Sequence, residues 1–240
     1  YENPDELLSI SLGSKETTLL KLTSAYCSFV NGGKLVEPIL IDRIQDSEGN
    51  TIFNSEKRFC NKCKEISYLG KEVPKIENNF PQIFSEETAY QMTSILEGVI
   101  KRGTGRKLKD LNLDLAGKTG TTNNNTDAWF VGFTSNLVIG VYVGHDEPRS
   151  LGKYETGSKT AMPIFKSFIK KAVKKGDARP FKVAKNIKFS VIEQKTGRKA
   201  DFGSKTTIIE AFKKNSTSKN YLNNDDLNLK VDKNNILKFY

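Results

Sequence analysis

Lys118-Thr119-Gly120-Thr121-Thr122, followed after Asn123-Asn124-Asn125 by Asp127-Ala128-Trp129-Phe130-Val131-Gly132-Phe133, decides how this chain is read. The run alternates small polar residues, then aromatic and β-branched ones, and turn-forming asparagines separate the two halves. That pattern predicts two strands joined by a short turn. Working outward, three strand candidates emerge over residues 113–122, 127–133 and 137–144, the last two joined by Thr134-Ser135-Asn136. Connections this short imply antiparallel neighbours. Leu137-Val138-Ile139-Gly140-Val141-Tyr142-Val143 has no polar alternation. A strand of this kind is expected to have both faces covered and to lie centrally in its sheet.

Helical periods flank these strands. Leu19, Leu22, Tyr26, Phe29 and Val30 recur at helical spacing, with Thr17 or Thr18 as the N-cap and Gly32-Gly33 as the stop. Ser85 caps a second helix whose apolar stripe is Tyr90, Met92, Ile95, Leu96, Val99 and Ile100, ending at Gly103-Thr104-Gly105. Glu86 and Glu87 suit its positive end. A third helix carries Ala161, Ile164, Phe165, Phe168, Ile169, Ala172 and Val173, with Pro163 in its first turn and Gly176 as its stop. Between the first two, Asp46-Ser47-Glu48-Gly49-Asn50 predicts a hairpin turn, and residues 54–81 read as a polar surface insertion. Residues 181–212 hold enough short apolar runs for a small appendage. Residues 213–240, dominated by Lys, Asn, Asp and Ser, read as a flexible tail.

Composition narrows the classes. A hydrophobic fraction of 37% in 240 residues suits a globular protein. There is no apolar run long enough to cross a bilayer, and Tyr1-Glu2-Asn3-Pro4-Asp5 does not resemble an export signal. The net charge of +10 is concentrated beyond Lys166, but its lysines are dispersed among Asp, Asn and Ser without interleaved aromatics, which argues against nucleic acid as a partner. Cys60-Asn61-Lys62-Cys63 is half of a four-ligand zinc site, and His145 is the sole histidine, so no metal or cofactor is expected. Cys27 reads as a small core residue.

A bare Lys-Thr-Gly carries little information, and the chain holds a second copy, Lys195-Thr196-Gly197, without the following threonines or the aromatic strand. With its flanks, the first copy resembles the third active-site motif of the penicillin-binding transpeptidases, and Ser11-Leu12-Gly13-Ser14, Ala25-Tyr26, residues 29–33, 102–106 and 146–152, and Glu155-Thr156-Gly157 are similar to class A members in the same order. The resemblance covers roughly residues 1–180. It implies an α+β fold: the C-terminal part of the penicillin-binding transpeptidase/serine β-lactamase-like fold, with three antiparallel strands and flanking helices.

The resemblance also implies a chemistry. A serine attacks the D-alanyl-D-alanine end of a peptidoglycan stem peptide, or a β-lactam, to form an acyl-enzyme. Lys118 would be the catalytic cation facing that serine, and Thr119, Gly120, Thr121 and Thr122 would bind substrate. The Thr121 backbone N–H would form half of the oxyanion hole. The family implies a periplasmic location at the inner membrane.

The family's Ser-x-x-Lys and Ser-x-Asn motifs do not occur before Lys118. Matches at Ser150/Lys153, Ser167/Lys170, Ser216/Lys219 and Ser218/Asn220 all follow it, and the abundance of lysine explains them as chance. No nucleophile is therefore assigned. The chain is expected to be inactive alone, and active only with the missing N-terminal half. The alternatives are a degenerate, non-catalytic remnant or binding module and, less well supported, a serine β-lactamase. The family's sheet has five strands, so three strands alone would leave an apolar edge open to another chain.

Overall fold

A computed structural model describes residues 7–55, 59–60, 76–77, 80–174 and 179–214. Contacts divide the chain into two units, Tyr1–Lys182 and Val183–Tyr240.

The first unit opens with a short 3-10 turn over Leu8–Leu12 and then helix α1, Leu19–Val30. Thr18 caps α1, its Oγ1 accepting the Lys21 N–H at 3.2 Å. Strands β1 (Arg43–Gln45) and β2 (Thr51–Asn54) form the expected hairpin, exposed along its length. Asp46 organises the turn by accepting N–H groups from Glu48 at 2.9 Å and Asn50 at 2.8 Å. Bonds to the Asn50 side chain and backbone hold its carboxyl below the usual range. Within the stretch read as a surface insertion, the two-residue strands β3 (Phe59–Cys60) and β4 (Ile76–Glu77) pair antiparallel. Cys63 lies outside the described residues.

Helix α2, Glu86–Arg102, starts where its cap predicts: Ser85 Oγ accepts the Thr88 N–H at 3.2 Å. After a 3-10 turn over Arg106–Leu111 come the three strands of the main sheet, β5 (Ala116–Thr121), β6 (Asp127–Phe133) and β7 (Val138–Gly144), antiparallel in that spatial order. Helix α3, Ala161–Ala172, follows a long connection.

Alternation along the strands sorts the core into two layers. Ala116, Phe133 and Val138 are in register across the three strands and pack with Leu96 of α2 and Tyr26, Phe29 and Val30 of α1. The opposite face presents Ala128, Phe130, Ile139, Val141 and Val143 to Ala161, Met162, Phe165 and Ile169 of α3. Phe130 and Phe165 meet edge to face at 4.8 Å between ring centres. Full burial of each ring stabilises the unit by roughly 2–3 kcal/mol. Gly132 leaves room for them, since a Cβ there would lie 2.7 Å from both rings. Gly140 does the same for α1 on the other face, where a Cβ would collide with Thr23 Oγ1.

The structure corrects two sequence expectations. Among the described residues the apolar run of β7 pairs with β6 alone, and the strand with neighbours on both sides is β6. Helices α1 and α3 contact β7, so coverage by helices produced the same apolar signature that a central position would. In α3, Ile164 and Phe168 are half exposed, 51% and 53%, because the buried line runs through Ala161, Phe165 and Ile169. Ile95 of α2 is likewise outside the core, at 56% exposure.

The second unit is a hairpin of β8 (Ile187–Glu193) and β9 (Thr207–Lys213), paired over seven residues. Ala200 donates its N–H to Val191 O at 3.0 Å, so the connection folds back along β8. Regular pairing reaches Lys213, the first residue of the segment expected to be a tail, and residues 215–240 lie outside the described ones.

Candidate functional site

The triplet Lys118-Thr119-Gly120 lies on β5, an edge strand whose only ladder neighbour among the described residues is β6. The Lys118 side chain is exposed and donates to the Thr119 carbonyl at 2.7 Å. Thr122 N–H donates to Asp127 O at 3.2 Å, toward β6. Because successive residues of a strand send their backbone groups to alternate sides, Thr121 presents its N–H to the open edge, as does Thr119 its carbonyl.

The side chains of Thr119 and Thr121 share the other alternation. Thr119 Oγ1 meets Thr104 Oγ1 at 3.0 Å, and Thr121 Oγ1 accepts the Gly157 N–H at 3.1 Å. Gly120 is paired with Trp129, and a Cβ on Gly120 would come 3.0 Å from Trp129 Cβ. The hydroxyl of Thr122 is taken up by the turn: it accepts the Asp127 N–H at 2.8 Å and meets Thr126 Oγ1 at 2.7 Å.

That turn is anchored at its far side. Asn124 and Asn125 adopt positive φ of 60° and 53°, a conformation that asparagine tolerates better than most residues. Asn125 Nδ2 donates to Gly152 O at 3.1 Å and Lys153 O at 3.0 Å, and its carbonyl accepts the Leu151 N–H at 2.8 Å. On β6 and β7, Tyr142 donates its hydroxyl to Asp127 Oδ1 at 2.9 Å and packs on Trp129 with ring centres 4.7 Å apart. The hydrogen bond to Asp127 pushes the Tyr142 hydroxyl above its ordinary range.

The sequence singles out Lys118, Thr119, Gly120, Thr121 and Thr122, and the structure places the first four on β5 and Thr122 just after it. The sequence does not single out Thr104, which reads only as part of a helix stop, or Asn125, which reads only as a turn. Gly157 was noticed without a role. Thr104 and Gly157 touch the strand across 15 and 36 residues, and Asn125 ties its turn to Gly152 across 27, beyond the reach of local periodicity. Among the described residues no group of His, Cys, Asp and Glu could hold a metal ion. A cleft of about 350 Å³ between the C-terminal half of α2 and residues 109–115 does not include the triplet.

The second copy has a different form. Lys195-Thr196-Gly197 sits in a turn, with Gly197 at φ 70° and its N–H donating to Glu193 O at 2.8 Å.

The model of the penicillin-binding protein transpeptidase domain matches residues 3–170, more than half of the chain. The chain belongs to this family. It is 40% identical to penicillin-binding protein 1A of Rickettsia felis over 98% of its own length and 30% of that protein's. It is 37% identical to penicillin-binding protein 1A of Neisseria flavescens over 75% of its length and 21% of that protein's. The crystal structure of penicillin-binding protein 1A from Haemophilus influenzae superposes with a TM-score of 0.70 at 33% identity, covering 85% of this chain and 33% of that one. The chain thus spans about 30% of the length of the Rickettsia relatives it matches. No helix among the described residues of this transpeptidase family member is long and apolar enough to cross a membrane.

Proposed function

We propose that this chain is the C-terminal part of a peptidoglycan D,D-transpeptidase and supplies the strand that receives the free carboxylate of a stem peptide or a β-lactam. The observation that carries this reading is the open edge of β5, where the exposed Lys118 ammonium and the outward Thr121 N–H lie three residues apart on one strand. Lys118 acts there as a fixed positive charge beside the nucleophile's hydrogen-bond network. Thr119 and Thr121 offer hydroxyls to the carboxylate. Gly120, without a side chain, lets the substrate backbone lie along the edge as an added strand. The Thr121 N–H supplies half of an oxyanion hole, whose removal commonly costs 10²–10³-fold in rate, or about 3–4 kcal/mol. Thr122 serves the same site by closing the turn.

The nucleophile belongs to an upstream part of the kind the relatives carry, and the work is done on the periplasmic face of the inner membrane. The transpeptidase family match and the penicillin-binding relatives favour this over the serine β-lactamase reading.

A fluorescent penicillin tests it. The chain alone is expected to remain unlabelled. Joined to the upstream part of the Rickettsia felis relative, the product is expected to label at a serine of that part. Labelling of the chain alone at one of its own serines would overturn the assignment. Binding of stem peptide without any labelling of the joined protein would instead make the chain a non-catalytic binding module.

A further inference from the structure

Two hydroxyls on one face of β5 are each met by a group from a distant segment, but only one contact has a fixed direction. Between Thr119 and Thr104 either oxygen can donate. Between Thr121 and Gly157 only the backbone N–H can donate, so Thr121 Oγ1 is the acceptor, at 3.1 Å. A hydroxyl carries one hydrogen and two lone pairs. With a lone pair committed to Gly157, the Thr121 hydrogen is left for an acceptor elsewhere, and the donated N–H polarises the O–H in the direction that strengthens it as a donor. A carboxylate is the acceptor that gains most from such a donor, because the bond is charge-assisted.

The approach of residue 157 depends on its having no side chain. A Cβ there would collide with the carbonyl oxygens of Gly120 and Trp129 and lie 3.1 Å from the Gly120 nitrogen. Residue 157 therefore lies against the ladder between β5 and β6, at the substrate-binding glycine itself. It is also held from behind. Gly157 O accepts the Met162 N–H at 2.9 Å, and Thr160 donates its hydroxyl to Glu155 Oε2 at 2.5 Å. Ala161 and Met162 are buried at the start of α3. The segment is thus fixed to the core before it touches β5.

Resting on the reading of Thr121 as a carboxylate ligand, we infer that Gly157 is a positioning residue that sets the Thr121 hydroxyl as a donor and so determines preference for ligands with a free carboxylate. A side chain at 157 displaces the loop, draws its N–H away from Thr121 Oγ1 and frees the hydroxyl to rotate. Recognition of the carboxylate falls, and contacts made elsewhere on the ligand are retained.

The test uses the chain joined to the upstream part of the Rickettsia felis relative, and compares acylation by benzylpenicillin with acylation by its carboxamide. The wild-type protein is expected to prefer the acid. Gly157→Ala is expected to reduce that acid/amide ratio on the order of tenfold, as loss of a charge-assisted bond does. Thr121→Val reduces it similarly, and Thr121→Ser restores most of what valine loses. In the Thr121→Val background, Gly157→Ala changes the ratio no further. If Gly157→Ala slows acid and amide equally, the residue is merely structural and the inference fails. If the wild-type protein makes no distinction between acid and amide, the carboxylate reading of β5 fails first and takes the inference with it. In the chain alone, Thr121→Val is expected to speed exchange of the Gly157 amide; unchanged exchange would show that the bond is not formed and would equally overturn the inference.

Discussion

Lys118-Thr119-Gly120 and Lys195-Thr196-Gly197 are the same three residues in the same order, and they have nothing structural in common. The first is an extended strand, paired with aromatic β6, its threonine in contact with Thr104. The second bends back on itself: Thr196 donates its hydroxyl to Glu193 Oε2 at 2.6 Å and accepts the Arg198 N–H at 3.3 Å, all within a few residues. A short polar hydroxyl satisfied locally favours a turn, and one satisfied by a distant segment can stay on a strand. The flanks make the choice. Gly117, before the first triplet, fits against the backbone of β6, and the following Thr121 and Thr122 reach a loop and a turn. The second triplet is bounded by Gln194 and Arg198, both exposed.

This contrast can be broken most severely at the lysines. In the chain joined to the upstream part of the Rickettsia felis relative, Lys118→Ala is expected to slow acylation by a fluorescent penicillin about 100-fold, the scale of losing one preorganised electrostatic group. Lys195→Ala is expected to stay within about twofold, as a surface change away from any site does. Equal effects would mean that the two copies are not distinguished in the way argued. A smaller effect, on stability, separates the residues just before each lysine. A Cβ at Gly117 would lie 2.8 Å from Val131 O and 3.0 Å from Gly132 Cα, both backbone. Gly117→Ala is accordingly expected to cost about 2 kcal/mol in urea denaturation of the chain, and Gln194→Ala less than about 0.5 kcal/mol. Smaller than the effect at Gly117 is the one at Gly197, whose φ of 70° disfavours any side chain even though the space around it is open. Gly197→Ala is expected to cost about 1 kcal/mol in the same measurement.

Much of this was legible in the sequence because it is written locally. Thr18 and Ser85 cap the helices they precede, and three strands lie where alternation and turn residues put them. The distinction between the two triplets was legible too, from flanking residues alone. What escaped was whatever depends on a partner far along the chain. The apolar character of β7 told of covered faces but not of its position in the sheet, since helices and strands cover a face equally well. Ile164 and Phe168 carry the helical period of α3, yet the period does not say how wide the buried line is. Thr104, Asn125 and Gly157 gave no sign of their bonds, because small and polar residues in loops have the same composition whether or not they clamp something.

Gly140 carries one more consequence, concerning the timing of synthesis. It is the notch in β7 that admits α1 at Leu19 and Thr23, and it follows Thr23 by more than a hundred residues. At ordinary translation speeds of about 5–20 residues per second, the ribosome releases that notch on the order of 10 s after the helix that fills it. During the wait the side of α1 that packs on β7 lacks that strand, so its final packing partner arrives only after the helix residues have long left the ribosome.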